Sequence, residues 1–147
     1  MAKTIGVTSI APSVLASQQT WFQAVLGQKW ETEYRTALSK AEEYNAIVLA
    51  AFTGVPWCGP CVKLENEVFE SWTFLMWALG KVVLLSTNDS NGFPLEDPLV
   101  AQYDITAVPQ VVGLNAQGAE LGRVVGYGSG MGAKLWIEAF ESEVGFG

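Results

Sequence analysis

Residues 46–61 decide the fold, and they read Ala-Ile-Val-Leu-Ala-Ala-Phe-Thr-Gly-Val-Pro-Trp-Cys-Gly-Pro-Cys. Residues 46–52 are continuously apolar, which is typical of a short strand buried on both faces of a sheet. A turn follows at residues 53–56, and Cys58 and Cys61 then open a stretch with helical patterning. The segment therefore predicts a strand, a turn and a helix, with both cysteines at the junction of strand and helix.

The two cysteines lie at positions i and i+3 of this junction. Unpaired backbone N–H groups and the positive end of the helix dipole favour a thiolate, so the pKa of Cys58 is expected below the value of about 8.5 usual for a free thiol. Cys61 is expected one turn further in and better shielded. Gly59 permits close approach, and Pro60 stands where the helix does not need an N–H. An outer nucleophile with an inner resolving thiol is the arrangement that thiol–disulfide exchange requires.

A zinc site and a purely structural bridge are the alternatives for this pair. Zinc takes four ligands, and the chain contains no His and only these two Cys, so a zinc site would have to be shared between two chains. A bridge across two intervening residues removes little loop-closure entropy from the unfolded chain. The pattern therefore favours redox chemistry, without a metal or an organic cofactor.

The composition limits the other classes of function. The chain has 147 residues, of which 50% are apolar and 16% charged, so a single domain can bury a core without disulfide staples. Its net charge is −7, and no run of Lys or Arg occurs, which argues against binding to nucleic acid. The absence of His excludes hydrolases that depend on a catalytic His.

Helices and strands alternate along the predicted chain. Strands separated by helices predict parallel crossovers, and the turn at residues 115–118 predicts an antiparallel hairpin. The last helix is expected to turn Leu135, Trp136, Ala139 and Phe140 toward the core. The fold class is α/β, with a central mixed β-sheet flanked by helices on both faces. The predicted strands are 46–52, 81–86, 109–114 and 120–126, and the predicted helices are 29–44, the stretch after Cys58 that carries Val62, Leu64, Val68 and Phe69, 71–79, 98–103 and 131–143.

The chain is expected to form one domain over residues 1–147, with a core over 28–147. Residues 1–27 are interpreted as an N-terminal extension with a weakly predicted helix over 12–26. An ordinary N-terminal segment and a signal-like segment both stay open for this extension. No stretch reaches the roughly 18 apolar residues that a membrane span needs.

Several motifs resemble the thioredoxin superfamily. The run Trp57-Cys58-Gly59-Pro60-Cys61 matches the active-site signature of thioredoxins, and Val108-Pro109 resembles the cis-proline dipeptide of the family. Tyr103-Asp104-Ile105 and Arg123-Val124-Val125-Gly126 also resemble the family, so that the similarity covers about residues 28–143. The resemblance implies a thioredoxin fold in which Cys58 is the nucleophile and Cys61 the resolving cysteine.

The resemblance also implies a substrate surface around the cysteines. It implies a cis Pro109 packed against the sulfurs and a Val108 backbone that pairs with an incoming substrate chain. A cis X–Pro bond costs little, and proline has no N–H that would crowd the sulfurs. Trp57, Gly59 and Pro60 are expected to contact substrate, although simple packing stays open for Trp57.

The chain departs from typical thioredoxins at two positions. Phe52 stands where thioredoxins carry a buried Asp that helps to deprotonate the second cysteine, and Val62 replaces a Lys. Water or a carboxylate such as Glu65 or Glu67 would then have to take the proton of Cys61, although both glutamates also suit a solvated helix face. The frame resembles a branch of thioredoxin-like proteins often exported in bacteria, in which another residue often replaces Pro60.

The leading functional hypothesis is a thiol–disulfide oxidoreductase that reduces or exchanges the disulfides of other proteins. A reductase or a membrane redox protein would recycle the pair, and the protein is expected to be a monomer. The alternative is a non-catalytic thioredoxin-fold module that binds a partner in the cis-proline groove. The sequence leaves open the direction of electron flow, and whether the compartment is the cytoplasm or the bacterial periplasm.

Overall fold

Helices and strands alternate along the part of the chain that the structure describes. The structure is a computed structural model, and it describes residues 28–92 and 95–145. The helix predicted over 12–26, like the whole extension 1–27, lies outside the described residues. The elements in chain order are α1 (Tyr34–Tyr44), β1 (Ile47–Thr53), α2 (Gly59–Leu64), a π-helical segment (Glu65–Phe69), α3 (Trp72–Ala78), β2 (Val82–Asn88), α4 (Pro98–Gln102), β3 (Gln110–Leu114), β4 (Glu120–Val125) and α5 (Gly132–Val144).

The four strands of the described residues form one mixed sheet in the order β2-β1-β3-β4. β1 is parallel to β2 and antiparallel to β3, and β3 pairs with β4 as an antiparallel hairpin. β1 therefore has a strand on each side and buried side chains on both faces, which explains its continuous apolar sequence. The predicted mixed sheet with helices on both faces is confirmed.

The prediction of parallel crossovers is right for β1 and β2 but wrong for β3. β3 starts at the end of the sheet where β1 and β2 finish, since Gln110 pairs with Phe52. The connecting helix α4 has five residues and spans about 7.5 Å, whereas a seven-residue strand spans about 23 Å. So short a helix does not carry the chain back along the sheet, and β3 therefore enters antiparallel.

Each face of the sheet carries its own apolar cluster. On one face, α1 and the region around α4 pack over Val48, Ala50 and Phe52 of β1. On the other face, α2, the π-helical segment, α3 and α5 pack over Leu49 and Ala51. The second cluster is rich in aromatic rings in contact with one another, which are Phe69, Phe74, Trp136 and Phe140. The helix that starts at the cysteines is thus held on the core through its apolar side.

The first helix is shorter than predicted. It begins at Tyr34 rather than at residue 29, with Glu33 as the N-cap, whose side chain accepts a hydrogen bond from the Thr36 N–H at 2.7 Å. Trp30 lies before the helix and packs on Phe69 of the opposite cluster, with ring centroids 4.9 Å apart. Glu31 instead pairs with the outer edge of β2. The helical spacing of Trp30 in the sequence was therefore coincidental.

The last helix buries a slightly different face from the one predicted. Trp136 and Phe140 are fully buried, as expected, but Leu135 is 55% exposed. Ile137 and Val144 complete the buried stripe instead. Because successive residues on a helix are about 100° apart, Leu135 falls beside this stripe rather than on it.

Candidate active site

The cysteine pair lies where β1 passes into α2, as the sequence predicts. Cys58 is the N-cap of α2, and its Sγ accepts a hydrogen bond from the Cys61 N–H at 3.2 Å. The two residues form a disulfide, with Cα atoms 5.2 Å apart. The pair is therefore in its oxidised form, on the amino end of a helix.

The two sulfurs differ in access. Cys58 keeps 7% of its surface exposed, whereas Cys61 is completely buried. The Sγ of Cys61 accepts a hydrogen bond from the Gly54 N–H at 3.3 Å, and the Sγ of Cys58 lies 3.9 Å from the Val108 carbonyl oxygen. Of the two cysteines, only Cys58 therefore keeps a surface that an approaching group can reach.

The segment before β3 forms the wall of the site next to Cys58. The Val108–Pro109 peptide bond is cis. Pro109 is buried and Val108 is partly exposed. The Pro109 carbonyl accepts a hydrogen bond from the Gly126 N–H at 2.8 Å, so the end of β4 closes the same wall. Cys58, Val108, Pro109 and Gly126, which are far apart in sequence, therefore meet at one edge of the sheet.

A second cis peptide bond, Val55–Pro56, lies in the turn before the cysteines and was not predicted from the sequence. The turn is held by Asn88 at the end of β2, whose Oδ1 accepts from the Val55 N–H at 2.7 Å and from the Thr53 hydroxyl at 2.9 Å. The Asn88 Nδ2 donates to the Val55 carbonyl at 3.1 Å. The only sequence signal for this contact is a polar residue at the end of a strand parallel to β1.

Trp57 lies on the surface in front of the disulfide. Its indole Nε1 donates to the Asp89 carbonyl at 2.7 Å, and its ring covers Gly54, where any Cβ would overlap the ring. Even so, 37% of the Trp57 surface is exposed. Gly59 and Pro60 are exposed as well. Trp57 therefore both packs on the turn and faces solvent beside the cysteines.

Phe52 fills the position of the family's buried Asp with an apolar ring. It is fully buried in the cluster under α1, and its ring centroid lies 6.5 Å from that of Tyr103. Its partner across the strands is Thr87, whose hydroxyl donates to the Ala51 carbonyl at 3.0 Å. The strand position at which the family carries its Asp thus offers no carboxylate in this chain.

The two glutamates after Cys61 are in different environments. The Oε1 of Glu67 accepts hydrogen bonds from the Tyr127 hydroxyl at 2.6 Å and from the Gly130 N–H at 2.8 Å, and these lower the pKa of Glu67. Glu65 instead lines a cavity of about 540 Å³. Burial raises the pKa of Glu65, and the neighbouring Glu70 carboxylate raises it further. The two carboxylates are therefore shifted in opposite directions, the pKa of Glu67 downward by hydrogen bonds and the pKa of Glu65 upward by burial.

The described residues contain neither a metal-binding cluster nor a membrane-spanning helix. Among them, no group of three or more His, Cys, Asp or Glu side chains is arranged to hold a metal ion. None of the helices described is both long and apolar enough to cross a bilayer.

Comparisons with known proteins agree with this fold and site. The family described as thioredoxin-like domain matches residues 34–140. The chain therefore belongs to the thioredoxin-like family, and the resemblance drawn from its motifs is confirmed. Its cysteine pair and its relatives define the class more closely as the disulfide oxidoreductases of this family.

Two curated relatives come from Chlamydia pneumoniae. The disulfide bond reductase DsbH is 30% identical over 123 residues, which cover 79% of this chain and 73% of DsbH. The thioredoxin-related protein DsbJ is 28% identical over 113 residues, which cover 72% of this chain and only 32% of DsbJ. The solved structure of a DsbH oxidoreductase superposes with a TM-score of 0.70 at 21% identity, covering 97% of this chain and 95% of that chain. This last similarity concerns the fold.

Proposed function

We propose that this protein is an enzyme that reduces or exchanges the disulfides of other proteins through Cys58 and Cys61. The observation that carries the proposal is the position of Cys58. The sulfur of Cys58 caps a helix and lies 3.9 Å from the Val108 carbonyl oxygen, beside the cis Val108–Pro109 bond, and the residue keeps a small exposed surface. A thiolate at such a place is stabilised by backbone N–H groups and is open to a second sulfur.

The reaction takes place in two exchanges. The Cys58 thiolate attacks one sulfur of a substrate disulfide, forming a mixed disulfide and releasing the other substrate sulfur as a thiolate. Cys61 then loses its proton, and its thiolate attacks the Sγ of Cys58, which releases the second substrate thiolate. Two electrons pass from the dithiol to the substrate, and the protein is left with the Cys58–Cys61 disulfide. A reductase or a membrane redox protein must then return two electrons.

The substrate chain is proposed to lie along the wall next to Cys58. Its extended backbone would pair with the backbone of Val108, and Pro109 would hold it against the sulfurs. Trp57, Gly59 and Pro60 would supply the rest of the contact surface, which their exposure supports. The substrates are proteins, no metal or organic cofactor takes part, and we propose that the chain acts as a single-domain monomer.

For the proton of Cys61 we propose Glu65 as the acceptor, with water as the alternative. Glu65 lies one turn after Cys61, and side chains four residues apart share a helix face. The carboxylate of Glu67 is already engaged by Tyr127 and Gly130.

The direction of electron flow is proposed to be reducing. The relative DsbH is named a disulfide bond reductase, and the Gly59-Pro60 dipeptide resembles that of thioredoxin. Titration of the pair against a glutathione buffer tests this proposal. A potential near the value of about −270 mV for thioredoxin supports it, and one near the value of about −120 mV for a strong periplasmic oxidant contradicts it.

An insulin-reduction assay with dithiothreitol tests the activity itself. We expect the wild-type protein to accelerate reduction, and Cys58→Ser to give only the rate of dithiothreitol alone. Cys61→Ser should retain the first exchange and accumulate a mixed disulfide with insulin, visible on a non-reducing gel. Binding of insulin without turnover by the wild-type protein would favour the non-catalytic module instead.

A further inference from the structure

The segment that carries Val108 and Pro109 is exposed at its centre and needs support from below. Thr106 and Ala107 are exposed, and Val108 is partly exposed. Both ends of the segment are buried, at Tyr103 and Gln110. An exposed stretch keeps one geometry only if its backbone groups are held by fixed partners.

One arginine contacts both ends of this segment. The Nη2 of Arg123 donates to the Tyr103 carbonyl at 2.8 Å, and its Nη1 donates to the Oε1 of Gln110 at 2.9 Å. Arg123 lies on β4 opposite Val112, two residues along β3 from Gln110, so the two side chains share a face of the sheet. The Glu120 carboxylate holds the guanidinium through its Nε and Nη2, at 2.8 and 2.7 Å.

Gln110 connects Arg123 to the backbone of the segment that carries Val108. It is 4% exposed, and its Nε2 donates to the Ala107 carbonyl at 2.9 Å. The Ala107 carbonyl and the Val108 N–H belong to one planar trans peptide, in which the two groups point in opposite directions. Fixing the Ala107 carbonyl toward Gln110 therefore fixes the Val108 N–H away from it.

We propose that Arg123, acting through Gln110, is a positioning residue that orients the Val108 backbone for pairing with a substrate chain. This inference rests on the proposed function and deepens it. Four of the five N–H groups of Arg123 donate hydrogen bonds, and the acceptors belong to Glu120, Tyr103 and Gln110. The ammonium group of lysine cannot reproduce this planar arrangement of donors. Arg123→Lys is therefore a disruptive change at this position.

Two variants test the two steps of the chain of contacts. Arg123→Lys removes this planar arrangement of donors, whereas Gln110→Glu keeps an acceptor for Arg123 but loses the donor to the Ala107 carbonyl. Each should raise KM for insulin about fivefold while kcat changes by less than about twofold, because the lost interaction orients a bound chain and not the sulfurs. Reduction of a small disulfide, 2-hydroxyethyl disulfide, should stay at the wild-type rate, since it has no backbone to pair with Val108.

Glu120→Gln is the matched control, because it removes the carboxylate partner of the same guanidinium and leaves the contacts to Tyr103 and Gln110 in place. It should leave KM for insulin within about twofold of the wild-type value. The ¹⁵N order parameter of the Val108 amide, measured by NMR relaxation, should fall in Arg123→Lys and Gln110→Glu but not in Glu120→Gln.

Two results would overturn the inference. One is an unchanged KM and an unchanged Val108 order parameter in both variants; the other is an equal loss of activity on insulin and on the small disulfide, which indicates general damage to the fold. If the wild-type protein does not reduce insulin at all, the proposed function fails. The order parameter of the Val108 amide then decides the positioning role by itself.

Discussion

Cys58 and Cys61 occupy different environments although they are only three residues apart. Each sulfur nevertheless accepts one backbone N–H, Cys58 from Cys61 and Cys61 from Gly54. An N–H donor stabilises a thiolate more than a thiol, so these contacts favour the thiolate form of either sulfur when the pair is reduced. The difference between them is access, because only Cys58 has any exposed surface.

The proton of Cys61 is the open chemical question at the scale of single residues. Because Phe52 is fully buried among apolar side chains, Phe52→Asp would restore the family's carboxylate but would also place a charge in the core. A change in rate in that variant would not separate the effect of the new carboxylate from the effect of the lost packing. Glu65→Gln is the sharper test, since Glu65 is partly exposed.

We predict that Glu65→Gln slows the resolution of a preformed mixed disulfide by about a hundredfold, the lower end of the usual range for general base catalysis. The pKa of Glu65 is raised, so its proton-accepting form is present only above that raised value. The wild-type rate should rise with pH through it, and the variant should lack this rise. Stopped-flow fluorescence of Trp57 measures the rate.

Glu67→Gln is the control for this experiment, because that carboxylate is held by Tyr127 and Gly130. It should resolve the mixed disulfide at nearly the wild-type rate. Equal rates in wild-type protein and Glu65→Gln would assign the proton to water instead.

Among the elements, the π-helical segment links the cysteine helix to the loop before α5. π-helical turns are rare and frequently lie at functional sites. This one presents Glu67 to Tyr127 and Gly130, and the Tyr127 hydroxyl in turn accepts from the Gly132 N–H at 3.0 Å. This loop starts at Gly126, whose N–H donates to the Pro109 carbonyl. Through its hydrogen bonds to the loop, Glu67 therefore connects the cysteine helix to the side of the site that Val108 and Pro109 form.

This contact predicts a pH-dependent contribution to stability. The folded-state pKa of Glu67 lies below the ordinary value of 4.5, so its contribution is fully present above pH 4.5 and is lost as the pH falls through the lowered value. Urea unfolding of wild-type protein and Glu67→Gln should therefore differ at neutral pH and converge in acid. Parallel curves for wild-type protein and Glu67→Gln would refute the prediction.

For the whole molecule, stability depends on the aromatic cluster between the sheet and the helices that carry the site. Trp136 is fully buried and contacts Phe69, Phe74 and Phe140. Trp136→Ala should lower the free energy of unfolding by about 3–5 kcal/mol, the usual cost of emptying such a position.

Leu135→Ala is the matched comparison on the same helix, because Leu135 is 55% exposed. It should change the free energy of unfolding by about 0.5 kcal/mol or less, as surface substitutions do. Both values follow from urea unfolding monitored by circular dichroism. Similar losses in the two variants would mean that the buried face of α5 has been assigned wrongly.

The local parts of this protein were determined by the sequence. An uninterrupted apolar run specifies a central strand, because only a strand with neighbours on both sides buries both of its faces. The cysteine spacing specifies a redox pair at a helix start, since the relevant donors are the cysteines' own backbone neighbours. These features depend on residues within one or two turns of each other, and the structure reproduces the strand and the helix close to their predicted bounds.

Only the tertiary structure decided the features that join distant residues. The antiparallel entry of β3 places Gln110 opposite Phe52, near the end of β1 that leads to the cysteines, and the parallel pairing of β1 with β2 brings Asn88 to Val55. Trp30 likewise joins the far cluster rather than the helix that its spacing suggested. The physical reason is that such contacts depend on the order and direction of the strands. The side-chain pattern along one segment shows which of its faces is buried. It does not show which other segment will cover that face.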